Sequence, residues 1–495
     1  VKDSQVGCMT VDNIVAGLEV STSSAKCMLF SEENGVLSQF SKAFDLNVAD
    51  GPSQSADGVV AAALDVLSQA VKAADAMGAS IECIGIIGTW HSLLLLDADR
   101  KPIDRIQTWV DLSGAESVAP VRRKEEFVKA FYQKTGCMVH AMYPIWKWFH
   151  LRATEPELTS CASSLSSQVE YLFESLTGAQ AVSRCVASGT GLLNINTLDW
   201  DDDVLEIAGI RREQLNPLVE AFHTAPLLPS IAQSVGLPSG LPVTVGCSDG
   251  AMNQVAVGGF GEGAMSMSVG TSGALRAAHA EPRIPPTPST WCYYLFKGKR
   301  LAGAAVNNGT NCVDWFLNRA GHKARDAGVY EAFSRGIKEV ELGDAPFFIP
   351  FVFGERCPGW SEDRRGGFVG IRALHDEFDL YHAVLEGVLF NMRQCYEILE
   401  DVGGKPERIL LSGGITNSKE WVQMAADIFG RELLTSGVSN DSTVGGSLVA
   451  LQAVTGGNQA EVYRPEIASQ IVPRHRECRV YRQRYERYLE LYGLL

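Results

Sequence analysis

Gly17-Leu-Glu-Val-Ser-Thr-Ser-Ser24 decides how this chain folds, because a stretch about half a chain later, Ser266-Met-Ser-Val-Gly-Thr-Ser-Gly273, repeats its plan. In each, a short apolar strand enters a turn of small residues and leaves as a second apolar strand, Ala25-Lys-Cys-Met-Leu-Phe30 in one case and Ala274-Leu-Arg-Ala-Ala278 in the other. Such a turn offers backbone N–H groups and hydroxyls to one ligand, a set of donors suited to phosphate. Two of them would grip a nucleotide, although small-residue hairpins also form for purely conformational reasons. Between them lies Gly246-Cys-Ser-Asp-Gly250, a lone carboxylate among small residues where a substrate can come close. The constellation reads as phosphoryl transfer.

The totals set the frame for that reading. At 495 residues the chain exceeds the size at which one core stops growing, so two domains are expected. Hydrophobic residues make up 46% and charged residues 20%, and no run of 18 apolar residues occurs, which favours a soluble globular enzyme over a disordered or membrane-spanning chain. The start, Val1-Lys-Asp-Ser-Gln-Val-Gly7, has no apolar signal core, and the 12 cysteines include no Cys-x-x-Cys pair, so free thiols in a reducing cytoplasm are expected. A formal charge of −15 opposes binding to nucleic acid. An anionic ligand such as ATP must then be held by local donors.

Along the chain, apolar residues recur at helical spacing over Gln54–Met77, and a buried strand Ile81–Ile87 follows, ending at Gly88-Thr-Trp-His91. The carboxyl end of a strand in an α/β sheet commonly lines a ligand crevice, which makes Trp90 and His91 candidates; a core tryptophan and a satisfied histidine read equally well. A charged helical stretch covers Ala115–Lys134, and a further helix carries Lys147 and Trp148. A Pro/Gly-rich run introduces a strand over Val243–Gly246, and the domain junction falls just beyond it, giving domains 1–252 and 253–495. The second half repeats the plan, with a strand Leu301–Val306, a helix from about Asn311, a strand Arg408–Leu411, the turn Ser412-Gly-Gly-Ile-Thr416 and a helix Lys419–Phe429. A strand, a glycine turn and a helix together aim N–H groups at a ligand.

The absence of G-x-x-x-x-G-K-S/T and of G-x-G-x-x-G argues against P-loop and dinucleotide folds and leaves the paired-hairpin architecture of sugar kinases, actin and the heat-shock ATPases. Longer stretches then narrow the choice. Phe348-Ile-Pro-Phe-Val-Phe-Gly-Glu-Arg-Cys-Pro-Gly-Trp360, Arg365-Gly-Gly-Phe-Val-Gly-Ile371, Asp379-Leu-Tyr-His-Ala-Val-Leu-Glu-Gly387, and Ser412-Gly-Gly414 with Trp421-Val-Gln-Met-Ala-Ala-Asp427 follow in the order of a family signature. Over nearly its whole length the chain resembles the FGGY carbohydrate kinases. Thr135–Lys147, Trp291-Cys-Tyr-Tyr-Leu295 and Gly303–Gly309 look most like the gluconate kinases of that family.

The resemblance implies two α/β domains of the actin-like ATPase (ribonuclease H-like) fold around a deep cleft, the first mainly binding sugar and the second mainly nucleotide. It implies ATP and Mg²⁺ as cofactors, a small-molecule sugar or sugar acid as substrate, no membrane or nucleic-acid partner, and a homodimer as a possible assembly. Asp249 would take the proton of the attacking hydroxyl, with a plain turn-forming Asp as the alternative. Thr22, Ser23, Gly270 and Thr271 would donate to the phosphates, joined by Lys26 unless it is a solvated strand lysine. Gly413, Gly414 and Gly309 would allow close approach, with Asn417 nearby. Trp90, His91, Trp109 and Asp111 would form the sugar pocket, and Lys147 or a donor such as Tyr143 would pair with a sugar carboxylate. Lys147 reads nearly as well as a surface lysine.

Two positions depart from the family's first phosphate motif, Asp-x-Gly-Thr, which here reads Glu19-Val-Ser-Thr22. That acid, with Asp249, would hold magnesium, whose shell demands near-octahedral geometry, and Glu19 is one methylene too long. Ser21 would bring a Cβ toward the phosphate. Ser183 also stands where relatives often have Asp. Three readings follow: a gluconate-type kinase, a xylulose or other pentulose kinase, and a sugar-binding pseudokinase with little or no transfer.

Overall fold

A computed structural model describes residues 14–44, 52–324, 326–436 and 442–494 of the protein, and the opening segment Val1–Gly7 lies outside them. The chain sorts into two compact units. The first takes the chain through Phe260, regains Tyr293–Lys299, and regains it again over a stretch ending at Tyr463. The second begins with Gly261–Cys292, resumes at Arg300, and resumes once more at Arg464.

In the first unit a seven-stranded sheet runs Thr224–Pro226, Pro242–Thr244, Ile81–Gly88, Ile14–Val20, Ser24–Ser31 and Gly35–Ala43, with Cys247–Ser248 also paired to Ile81–Gly88. Ile14–Val20 is buried at every position, as a central strand covered on both faces must be. It forms the expected hairpin with Ser24–Ser31 and lies parallel to Ile81–Gly88. The expected helix spans Ala56–Ala76, started by the Ser55 hydroxyl accepting from the Gly58 N–H at 3.2 Å, and buries Val59, Ala63, Val66 and Ala70 along one stripe. The helix Ser442–Thr455 also packs on this sheet, with almost no side-chain layer between. A Cβ at Gly17 would fall 2.4 Å from Ser447 Oγ, one at Gly85 2.5 Å from the Gly446 carbonyl oxygen, and one at Gly445 2.2 Å from the Met252 carbonyl oxygen.

The second unit repeats the plan in a seven-stranded sheet, ordered Trp291–Tyr294, Arg300–Val306, Gly273–His279, Ala264–Val269, Arg408–Ser412, Leu433–Ser436 and Ile467–Ile471, of which only Tyr293 and Tyr294 are counted with the first unit. Again a hairpin strand, Ala264–Val269, lies antiparallel to its partner and parallel to the strand on its other side. The helix Lys419–Phe429 is capped by the Ser418 hydroxyl and ended by Gly430 at φ 60°. The family-signature segments pack together: a Cβ at Gly387 would meet the Phe348 carbonyl oxygen at 2.2 Å. Both units have the α/β actin-like architecture. Among the described residues the cysteines are free thiols, and no helix is long and apolar enough to cross a membrane.

The structure differs from the sequence reading in three places. The charged stretch Ala115–Lys134 is two helices, Ala115–Arg122 and Glu125–Thr135, because Arg122 ends one and Glu125 and Glu126 begin the next, each charge matching its helix terminus. The strand expected over Val243–Gly246 stops at Thr244 and resumes at Cys247. Val243 pairs with Ile84 and Cys247 with Ile87, so four residues on one strand span three on the other, and Gly246 takes up the bulge at φ 93°. Finally, the first unit runs on to Phe260 and recovers two later segments, whereas a single cut between 252 and 253 was expected. The helix Ser442–Thr455 is buried against the first sheet and must be counted with it.

Candidate active site

Strand register brings the first unit's candidate residues to one edge. Val20 and Ser248 both pair with Gly88, so Ser21, Thr89 and Asp249 leave three neighbouring parallel strands side by side, at their carboxyl ends. The Gly246 bulge lies just before this point and re-aims Asp249, which opens the helix Asp249–Ala256. Asp249 is half-buried, and its Oδ1 accepts from the Gly250 N–H at 2.6 Å and faces the Ser248 hydroxyl at 3.4 Å.

The first turn closes on itself. Ser21 Oγ donates to the Ser24 carbonyl at 2.9 Å and accepts the N–H groups of Ser23 and Ser24 at 3.3 and 3.1 Å. Ser21 has no positive φ, so the turn needs no glycine there. Beneath it two buried glutamines form a relay. Gln54 donates to the Ser21 and Thr22 carbonyls at 3.0 and 2.8 Å. Gln168 donates to Gln54 and to Ser21, and its own carbonyl accepts from the Thr89 N–H and hydroxyl.

Glu19 is almost fully buried. Its Oε1 accepts from the Ser442 hydroxyl at 2.5 Å, and Lys26 Nζ stands 3.3 Å from its Oε2. The extra methylene therefore reaches the helix Ser442–Thr455, and Lys26 balances the charge. Ser183 caps the short helix Arg184–Ala187, taking the Val186 N–H at 3.2 Å, a task its hydroxyl performs as an Asp would.

The six residues read as a sugar pocket come together in this unit. The Trp90 indole N–H donates to the Cys185 carbonyl at 2.9 Å, and its ring fills the space where a Gly189 Cβ would stand, 2.4 Å from Cδ1. His91, at φ 66°, sets Nδ1 2.6 Å from the Gly189 carbonyl oxygen and packs edge-on to Tyr143 at 4.8 Å. Trp109 donates to Thr22 Oγ1 at 2.9 Å, joining the pocket to the first turn. Lys147 lies one helical turn beyond Tyr143, and its ammonium donates to the backbone oxygen of Asp111 at 2.5 Å. Lys147 is 3% exposed and forms no ion pair among the described residues; the Asp111 charge reaches it only at longer range. Burial pulls its pKa down to about 8, against the opposing Asp111 charge. Sequence reasoning missed Tyr293, whose ring lies 4.8 Å from Trp90 and 5.5 Å from His91 and whose hydroxyl is 2.8 Å from that of Tyr143. It stands within a stretch, Trp291–Leu295, that was quoted only for its resemblance.

In the second unit, Ser268 pairs with Ser412, so the turn at Gly270 and the Gly413–Gly414 turn leave adjacent parallel strands. They border a cavity of about 960 Å³ whose walls include Gly270, Thr271, Gly414 and Asn417, together with Tyr330 and Trp421, which sequence reasoning passed over. Gly309 and Gly413 stand behind the turn. A Cβ at Gly309 would meet the Gly270 carbonyl oxygen at 2.4 Å, and one at Gly413, which has φ 89°, would meet the Val269 carbonyl oxygen at 2.6 Å. The close approach these glycines allow is to the turn backbone.

Magnesium suits one side of this donor set. Among the described residues no three His, Cys, Asp or Glu side chains converge as a cage; magnesium at a phosphate site is commonly held by one or two carboxylates, water and phosphate oxygens. Asp249, half-buried at the sheet edge, fits that role; Glu19 gives Oε1 to Ser442, while its buried Oε2 lies 3.3 Å from Lys26 Nζ and accepts no hydrogen bond among the described residues.

Comparison with known proteins places most of the chain in one family. The model of the N-terminal domain of the FGGY family of carbohydrate kinases matches residues 14–256, and that of the C-terminal domain matches residues 265–454. A gluconokinase of Bacillus subtilis is 30% identical over 450 residues, covering 88% of this chain and 87% of the relative. Crystal structures of a gluconate kinase and of a ligand-bound xylulose kinase, both from Lactobacillus acidophilus, each superpose with a TM-score of 0.91 at 27% identity, over 98% of both chains.

Proposed function

This chain belongs to the FGGY family of carbohydrate kinases, and we propose that it transfers the γ-phosphoryl group of ATP to a terminal hydroxyl of a sugar acid of the gluconate class. One observation carries the choice of an acid over a neutral pentulose. Among the described residues Lys147 is a buried ammonium with a single carbonyl partner and no carboxylate bonded to it, so it keeps N–H donors for an anion. A neutral ketose gives such a group nothing to neutralise.

In this reading Trp90 and Trp109 supply apolar walls, His91 and Asp111 meet hydroxyls, and Lys147 holds the carboxylate. Asp249 accepts the proton of the terminal hydroxyl as its oxygen bonds to the γ-phosphorus; the bond from that phosphorus to the β,γ-bridging oxygen breaks, and ADP leaves. Thr22 and Ser23, with Gly270 and Thr271, donate to phosphate oxygens, while Gly309, Gly413, Gly414 and Asn417 shape the nucleotide side. Magnesium, when bound by Asp249 and the phosphates, supplies charge neutralisation. Glu19 and Lys26 serve as a structural pair. The closed Ser21 turn weighs against loss of transfer as the meaning of the altered motif.

The test is ADP release with ATP and Mg²⁺ against gluconate, xylulose, ribulose and glycerol. Gluconate-dependent turnover far above the ATP-only rate is expected. Turnover with xylulose alone would overturn the acid assignment, and binding of a sugar without turnover would make the protein a sugar-binding pseudokinase.

A further inference from the structure

We propose that Lys338 and Glu420 are positioning residues whose ion pair clasps the helix Ala327–Gly336 over the nucleotide and sets how fast ADP leaves. The inference rests on reading the cavity of about 960 Å³ as the nucleotide's, and it adds a rate-setting element to that site.

One wall of this cavity is a single helix face. Ala327, Tyr330, Glu331, Ser334 and Arg335 line it at helical spacing, and Lys338 continues the row from the turn Ile337–Glu339. The opposite wall is the Gly414 turn and the first turn of the helix Lys419–Phe429, which carries Glu420. Lys338 Nζ stands 3.0 Å from Glu420 Oε1, so the pair ties one wall to the other. Both residues also border a second cavity, of about 760 Å³. With open space on either side, the pair is a bridge rather than part of a packed wall.

The helix it holds is lightly anchored. Phe333 is the one buried residue of Ala327–Gly336, its ring 5.3 Å from Phe378 and 4.8 Å from Tyr381. The Tyr330 hydroxyl adds a hydrogen bond to Asp314 Oδ1 at 2.7 Å. These ties run to the helices Glu377–Gly403 and Thr310–Arg319, away from the opposite wall. An element with so few buried contacts opens at low cost, and a bond across the cavity then governs how often it does so. The Lys338 side chain is 57% exposed and that of Glu420 24%, so the pair adds little to global stability. Parting it whenever a nucleotide passes slows entry and exit alike, and leaves their ratio, the affinity, nearly unchanged.

The experiment is stopped-flow fluorescence of N-methylanthraniloyl-ADP with Mg²⁺ on the full chain, for wild type, Lys338→Met, Glu420→Gln and Lys338→Arg. Both neutral variants are expected to bind and release the nucleotide about two- to fivefold faster, with Kd within about twofold of wild type, while Lys338→Arg keeps the wild-type rates. The gluconate KM should not move. Unchanged rates in both neutral variants would overturn the proposal. So would weaker binding in Lys338→Met together with tighter binding in Glu420→Gln, because an ammonium that touches the nucleotide directly gains strength when its carboxylate partner is removed. A wild type that binds no ADP by calorimetry would sink the nucleotide reading and the clasp together. Faster exchange in both neutral variants, without turnover on any sugar, would leave the clasp standing and remove the kinase reading.

Discussion

Replacing Lys147 with Met tests both the site and the energetics assigned to it. Burial lowers the lysine pKa from 10.5 to about 8, and at 1.36 kcal/mol per unit the charged form costs the folded protein about 3 kcal/mol. The sign follows from proton counting. Below about pH 8 both folded and unfolded chains hold the proton and the full cost is present; between about 8 and 10.5 only the unfolded chain holds it, so this contribution to stability rises with pH. Lys147→Met removes the charge together with one charge-assisted hydrogen bond worth about 1.5 to 3 kcal/mol, so a net gain of between about 0 and 1.5 kcal/mol is expected at pH 7 in urea unfolding. Gluconate should suffer. A hydrogen bond to a charged group is worth about 1.5 to 3 kcal/mol, equal to a rise in KM of about 10- to 150-fold, with little change for a neutral sugar. In the wild type the ammonium form binds the acid, so gluconate binding should take up a proton at pH 8.5 and none at pH 6. Calorimetry in buffers of different ionisation heat reads this directly. Binding without proton uptake at pH 8.5, together with a Lys147→Met KM within twofold of wild type, would refute the argument.

Asp249→Asn is expected to cut kcat by orders of magnitude while sugar affinity, read by calorimetry, stays within a few-fold; wild-type turnover would remove Asp249 from the chemistry. Gly309→Ala places a Cβ 2.4 Å from the Gly270 oxygen, backbone against backbone, and should raise KM for ATP while costing about 1 to 3 kcal/mol in stability, with the sugar KM unchanged. Glu19→Asp with Ser21→Gly restores the family motif but shortens the reach to Ser442 and opens the turn, so about 1 to 3 kcal/mol of stability should be lost without a gain in turnover. A strong rise in kcat would show that these residues do restrain catalysis.

Much of this was legible because it is local. The two small-residue turns, the helices Ala56–Ala76 and Lys419–Phe429, and the placement of His91 after a buried strand all follow from short-range pattern. Trp90, Trp109, Tyr143 and Lys147 were named through resemblance as sugar-pocket candidates, and all four lie in the first unit. What escaped depends on closure across distance. Gln54 and Gln168 carry no periodic signal, and only the folded chain brings them under the first turn. Tyr293 belongs to a strand read for its resemblance, with nothing local to tie it to His91. The helix Ser442–Thr455 is buried from Ser442 to Gln452 on every side, so it lacks the apolar stripe by which surface helices are found. Nothing local ties Glu19 to Ser442, its hydrogen-bond partner over four hundred residues away.

That helix has a bearing on how the protein is made. The first unit's sheet leaves strips at Gly17 and Gly85 that the helix Ser442–Thr455 fills at close range. About 180 residues of the other unit emerge from the ribosome between Phe260 and Ser442, a delay of roughly 9 to 36 s at 5–20 residues per second. Throughout that interval the nascent first unit exposes an apolar sheet face to chaperones and to neighbouring chains. The order of synthesis thus leaves the amino-terminal half unfinished until residues 442–455 appear, shortly before the second unit gains its own segment from Arg464.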